Sequence, residues 1–164
     1  MTKIYLIRHA EAEGNLYRIA HGWHNGLITN YRGYQQIDAL RQRFQDVDID
    51  AVYASDLYRT QITARAIWLP KALPLHLEPA FREICMGVWE GRAWGDVEHE
   101  FPEQMRWFNT DPDRWSVPGC EPIRDVQKRM KRAIEDLAAR HDGQTIVLVS
   151  HGMAIRAYLC TVLG

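Results

Sequence analysis

The chain has 164 residues, 46% hydrophobic and 25% charged, with a formal net charge of −1. That length suits one domain with a real core and is short for two, and the near-neutral total argues against a nucleic-acid or anionic-membrane partner while leaving room for a local positive pocket. No window approaches the ~18 consecutive apolar residues of a membrane span, and Arg8 arrives too early for a secretory leader to be expected.

In chain order, KIYLI (3–7) is a short, dense, β-branched run of the kind that makes a buried parallel strand. Residues 31–45 follow as a helix, with Tyr34, Ile37, Leu40 and Phe44 recurring at three and four. DAVYAS (50–55) is a second strand. Ser55-Asp56 is placed to cap a helix that runs to about Trp68 and is stopped by Pro70. LPLHLEP (73–79) alternates between two prolines, as an edge strand does. Residues 85–121, rich in Trp, Pro, Gly and acids, read as short helices and loops, a lid or side wall rather than a second domain. An apolar stripe through Ile123, Val126, Met130, Ala133, Ile134 and Leu137 makes 122–140 an amphipathic helix. QTIVLV (144–149) is the last strand, and Ser150 with Gly152 opens a final helix from Met153. Alternating strands and helices predict an α/β fold, a mostly parallel sheet flanked by helices on both faces. Cys85, Cys120 and Cys160 are far apart and odd in number. That is neither a disulfide framework nor a metal pattern, and it suits a reducing cytoplasm.

Ligands of open α/β sheets sit at the carboxyl ends of the strands, where helix N-termini also present free N–H groups. Three strands end there in useful side chains: Arg8-His9, then Ser55-Asp56 with Arg59 in the next turn, then Ser150-His151-Gly152. Glu83, after LHLEPAFRE, is a fourth contributor. A neutral histidine is a sound nucleophile toward phosphorus, and Arg8 and Arg59 would keep a proton off His9. Their guanidinium forks match phosphoryl oxygens. His151, if protonated, adds a donor beside the helix terminus at Gly152, and Asn15 and Ser55 add neutral ones. Glu83 would protonate a leaving alkoxide and later deprotonate water. Such a set performs phosphoryl transfer with no metal and no other cofactor. Singly, each residue has an ordinary explanation; Arg59, for example, sits three residues after Asp56 and could pair with it. It is their joint placement at strand ends that carries the functional reading.

These residues resemble a known family. IRHAEAEGN is similar to the arginine-histidine motif of the histidine phosphatase superfamily, in its phosphoglycerate mutase-like branch. YASDLYRTQITARAI (53–67), FREICMGVWEG (81–91) and IVLVSHGMAIRA (146–157) resemble its later motifs in order. GYQQIDALRQRF and PGCEPIRDVQKRM resemble its intervening helices. The resemblance implies that His9 is the phosphorylated nucleophile, Glu83 the proton donor, and Arg8, Asn15, Arg59 and His151 phosphate ligands. Ala10 stands where glycine is usual, Gly119-Cys120-Glu121-Pro122 where Gly-Gly-Glu-Ser is common, and the turn at 29–33 is one residue longer. Many members also run on beyond the point where this chain stops, in the still apolar AYLCTVLG.

The expected activity is hydrolysis of a small phosphomonoester, by a monomer or homodimer. Phosphoglycerate mutase-type transfer is the alternative, disfavoured because the chain is short between Arg59 and Glu83. A non-catalytic phosphate-binding module is a further alternative, and it would be expected to have lost His9 or Glu83. A dinucleotide-binding oxidoreductase would need a G-x-G-x-x-G turn after the first strand, which residues 8–15 lack. His21 and His24, three apart, lack further ligands at metal spacing. The tryptophans are read as core and lid packing ahead of a ring-binding site, and His76 and His99 as residues without chemistry.

Overall fold

The computed structural model describes residues 1–163. Strand β1 (Lys3–Arg8) is followed by a one-turn helix α1 (Glu13–Leu16) and by α2 (Arg32–Arg43). β2 (Ala51–Ala54) leads into α3 (Tyr58–Trp68), and β3 (Leu75–Leu77) into two 3-10 turns at Pro79–Phe81 and Gly87–Trp89. The short helices α4 (Trp94–Glu100) and α5 (Pro102–Thr110) precede α6 (Ile123–Arg140), β4 (Thr145–Ser150) and α7 (Gly152–Leu163). The four strands pair in the order β1-β4-β2-β3, all parallel. The expected α/β class and all four strands are therefore present, with β3 at one edge as its alternation and prolines implied.

Alternation along β4 divides the core. Ile146 and Leu148 join Tyr53 of β2 and the α6 stripe of Val126, Met130, Ile134 and Leu137, together with Trp89, Val97 and Trp115 from the 85–121 segment. Val147 and Val149 face the other way, onto Val52, Ala54, Phe44, Ala64 and Ile67. Both faces of β4 are buried, which is why its sequence is an unbroken apolar run rather than an alternating one. Truncating Leu148, which is fully buried, to alanine should cost ~2–5 kcal/mol. In α2 the apolar stripe is incomplete: Phe44 is buried, but Tyr34 is 48% exposed.

Two helix starts differ from expectation, and both differences serve the strand ends. Helix α3 begins at Tyr58, with Leu57 at its N-cap and no capping side chain of its own. Its Tyr58 N–H donates instead to Asn25 Oδ1 at 2.9 Å. Ser55 and Asp56 are engaged elsewhere. Helix α7 begins one residue early, at Gly152, and its cap comes from a distant loop. The Glu83 carboxylate accepts from the N–H groups of Met153 (3.1 Å) and Ala154 (2.9 Å), and from Ile84 (3.0 Å). Two of the orphan donors of the helix N-terminus are thus satisfied by a carboxylate.

Candidate active site

The strand-end side chains meet in a cleft of about 310 Å³ lined by Arg8, His9, Asn15, Arg59 and Glu83, among others. His9 leaves β1 with its N–H donating to Ser150 O at 3.0 Å, so the first and last strands are tied together at the nucleophile. Its neighbour Ala10 donates N–H to Thr63 Oγ1 (2.9 Å), and that hydroxyl donates to Arg59 O. His9 Nδ1 lies 2.7 Å from Ala10 O. A carbonyl only accepts, so Nδ1 carries the hydrogen and the lone pair of Nε2 is free. Burial, then Arg59, then Arg8 push the His9 pKa down to about 3, against the opposing pull of the Ala10 carbonyl. The arginines act as expected, but desolvation acts more strongly.

His151 is fully buried, with its ring centroid 5.2 Å from that of His9. Its Nε2 meets Ser55 Oγ at 2.7 Å, while Nδ1 has no partner among the described residues. Burial, with Arg59 next, holds its pKa well below the ordinary histidine value. His151 is therefore neutral at pH 7, so the donor role given to it on condition of protonation needs a proton that the resting ring does not hold; a neutral ring loses less hydration on burial. Ser55, fully buried, meets Thr60 Oγ1 as well as His151. It orients the second histidine from behind.

Arg59 is 2% exposed. It does not pair with Asp56. Its Nη1 and Nη2 donate to His24 O and Gly22 O, both at 2.7 Å. Burial lowers its pKa to about 10, opposed by Glu83 and Glu90, so it remains a cation at pH 7. Asp56 is held by Arg82 instead, through both carboxylate oxygens. Arg8 lies against the first turn of α7. A Cβ on Gly152 would sit 3.3 Å from Arg8 Nε, so glycine lets the guanidinium rest on the helix end. Asn15 Oδ1 accepts from Ala12 N–H at 3.0 Å, and the side chain lines the cleft.

Two cleft residues were not assigned a role from sequence. His21 has its ring wedged between Gly14 and Gly26; a methyl on Gly14 would sit 2.6 Å from His21 Cγ, and one on Gly26 closer still to Cε1. Burial and Arg59 lower its pKa. Arg18 lines the same cleft. The pair of glycines flanking His21 was the available signal; Arg18 gave none.

The tryptophans divide. Trp89 and Trp115 are core, 5.4 Å apart between ring centroids, and of the six only Trp94 lines the cleft. Trp23, at its edge, donates Nε1–H to Glu83 O at 2.7 Å, with Arg82 stacked 4.9 Å over its ring. His76 stacks on Tyr53. No group of three metal-ligating side chains occurs among the described residues, and no helix among them is long and apolar enough to cross a membrane.

A parallel α/β sheet that gathers a neutral histidine and several arginines at its strand ends defines an enzyme that handles phosphoryl groups. Comparison with known proteins carries this to a family. Residues 4–164 match the histidine phosphatase superfamily (branch 1), and the chain belongs to it. It is 35% identical to phosphoserine phosphatase 1 of Hydrogenobacter thermophilus over 167 aligned positions, covering all of this chain and 77% of that protein. It is 32% identical to a probable phosphoglycerate mutase, GpmB, of an Enterobacter species, again over the whole chain and 76% of the relative. Among solved structures, YhfR of Bacillus stearothermophilus superposes with a TM-score of 0.94 at 28% identity, covering 98% of this chain and 79% of that one. The chain is a phosphatase of this superfamily, with the phosphoglycerate mutase-like fold.

Proposed function

We propose that the chain hydrolyses a small phosphomonoester, without a metal, through a phosphohistidine on His9. The observation that carries this is the Nδ1–H bond to Ala10 O, which leaves Nε2 bare and aimed by the backbone. His9 Nε2 attacks phosphorus and the bond from phosphorus to the ester oxygen breaks. Glu83 donates a proton to the departing alkoxide. It then takes a proton from the water that cleaves the phosphohistidine. Arg8, Arg59, Asn15, His151 and the α7 terminus at Gly152 hold the phosphoryl oxygens as charge shifts among them. The first two are cations of planar geometry, suited to a phosphoryl group. The phosphatase name of the H. thermophilus relative supports hydrolysis.

The mutase name of another relative keeps isomerisation as the second reading. The short path from α3 through β3 to Glu83 favours water as the acceptor, since no inserted segment stands there to screen the phosphohistidine.

The experiment uses p-nitrophenyl phosphate and an alkyl phosphate, with a chelator present. His9→Ala should abolish phosphate release from both. Glu83→Gln should slow the alkyl ester by ~10²–10⁴ and the aryl ester much less, because nitrophenolate leaves without a proton. Equal losses on both esters would remove Glu83 from the acid role, and wild-type activity that requires a metal would overturn the mechanism.

A further inference from the structure

Residues 21–25 (HGWHN) form a loop that touches three parts of the reaction centre. Gly22 O and His24 O accept from Arg59 Nη2 and Nη1, both at 2.7 Å. Trp23 Nε1–H donates to Glu83 O at 2.7 Å. Asn25 Oδ1 accepts from Tyr58 N–H at 2.9 Å, at the start of α3 and one residue before Arg59. A guanidinium is a rigid planar fork, so two carbonyls on its two terminal nitrogens fix its plane and leave its remaining N–H groups for a phosphoryl group. Where this loop sits therefore decides where the buried cation of the cleft sits.

Glu90 holds the loop. It follows the 3-10 turn Gly87–Trp89, and its side chain is only 9% exposed. Its Oε1 accepts from Trp23 N–H at 3.0 Å and from Met86 N–H at 2.9 Å, while Oε2 lies 3.6 Å from His24 Nε2. Trp23 is the residue between the two carbonyls that Arg59 takes. The fit leaves no space: a Cβ on Gly22, which has φ +49°, would sit 2.1 Å from Glu90 Oε1. The neighbouring main chain is tied as well, with Gly91 N–H donating to Ala20 O (2.7 Å) and Ala20 N–H to Arg92 O (2.9 Å). A carboxylate is a costly group to bury. This one lies outside the lining of the cleft and gives its short contacts to main-chain N–H groups.

We propose that Glu90 is a positioning residue for Arg59, acting through the main chain of residues 22–24. Its Oε1 sets the loop on the 85–90 segment, and the loop carbonyls then set the guanidinium at the phosphoryl site. The proposal rests on the phosphate-binding role of Arg59 given above and adds to it what places that cation. Glu90 touches neither the phosphoryl group nor His9 in this reading.

The test follows hydrolysis of p-nitrophenyl phosphate and its inhibition by inorganic phosphate, on variants whose folding is checked by urea unfolding. Glu90→Ala should raise KM and the inhibition constant of phosphate together, by roughly tenfold, with a smaller change in kcat, because a displaced guanidinium is missing from the ground state as well. Glu90→Gln keeps an oxygen for both N–H groups and should recover most of the loss. Arg59→Lys cannot take both carbonyls and should raise the same two constants by itself. In that background Glu90→Ala should add less than about twofold, since both changes act on one interaction. If Glu90→Ala does not fold, Glu90→Asp, a carboxylate on a shorter arm, should show the same pattern with a smaller amplitude. Unchanged constants in a folded Glu90 variant, a Gln variant as poor as Ala, or losses that multiply in the double variant would each overturn the assignment. Arg59→Lys with wild-type constants would instead remove the phosphate role of Arg59, and the positioning role with it.

Discussion

Arg129 reaches from α6 to the main chain of Glu83, its Nη2 donating to Glu83 O at 3.0 Å. Its Nη1 donates to Ala80 O (2.7 Å) and Arg82 O (2.8 Å), and Glu121 holds the guanidinium through Nε (2.6 Å) and Nη2 (2.9 Å). One arginine thus collects three carbonyls of the loop that presents Glu83, backed by a half-buried carboxylate. Arg129→Met strands Glu121 and frees those carbonyls, and should destabilise the fold by ~2–3 kcal/mol. Arg129→Met with Glu121→Leu should recover part of the loss, because no charge is then stranded. Urea unfolding of both variants measures this; additive losses would mean that the pair is not coupled. If Arg129 positions Glu83, Arg129→Met should also slow alkyl phosphates more than aryl ones.

The two site histidines make stability depend on acid. In the unfolded chain each takes a proton near pH 6.5, whereas folded His9 resists down to about 3 and His151 also stays neutral well below the ordinary value. Above pH 6.5 both states are unprotonated at these rings and the effect is absent. As the pH falls below that, the unfolded chain binds more protons and stability drops, by up to about 1.4 kcal/mol per pH unit for each ring. Replacing His9 by Gln should flatten the fall in urea midpoint between pH 7 and pH 4.5. A fall as steep as wild type would show that His9 titrates normally.

The strands and the strand-end residues could be read from sequence for one physical reason. A strand buried on both faces has to be apolar throughout, as β4 is, and the polar residue that follows it must lie at the rim. His9, Arg59 and His151 were found in that way. What could not be read depends on contacts between distant segments. Ser55 and Asp56 look like a helix cap in the local sequence, yet Ser55 turns to His151 and Asp56 to Arg82, while Asn25 and Glu83 supply the caps from other loops. Nothing in PGCEPIRDVQKRM says that Arg129 will find three carbonyls near Glu83. The charge state of His151 was left open by the sequence, because burial, which sequence does not show, is what chiefly sets it.

Gly26 should tolerate no side chain while His21 is present. Its φ lies outside the left-handed region, so alanine is acceptable to the backbone there, but the added methyl would overlap the His21 ring. Gly26→Ala should cost ~1–3 kcal/mol, the usual range for overpacking, and should lower kcat/KM by turning the ring out of its slot. Gly26→Ala combined with His21→Ala should be more stable than Gly26→Ala alone. Thermal unfolding decides this: a double variant less stable than Gly26→Ala would show that the ring is not what the methyl meets.

Phosphate binding should draw a proton onto His151. Thr60 Oγ1 has two carbonyls to donate to, Leu57 O at 2.7 Å and Ser55 O at 2.9 Å, so the proton between Thr60 and Ser55 comes from Ser55. His151 Nε2–H then donates to Ser55 Oγ, and Nδ1, which has no partner, carries only a lone pair. A dianion brought beside that lone pair is repelled until a proton enters, and an imidazolium is then favoured by the adjacent charge. Titration calorimetry of inorganic phosphate at about pH 8, in buffers of differing ionisation enthalpy, should report uptake of about one proton. His151→Gln should remove that buffer dependence. If the wild type showed none, Ser55 would be the donor to Nε2, and Nδ1 would hold a hydrogen of its own. If the dependence survived in His151→Gln, the proton would belong to His9 or His21, and His151 would bind phosphate as a neutral ring.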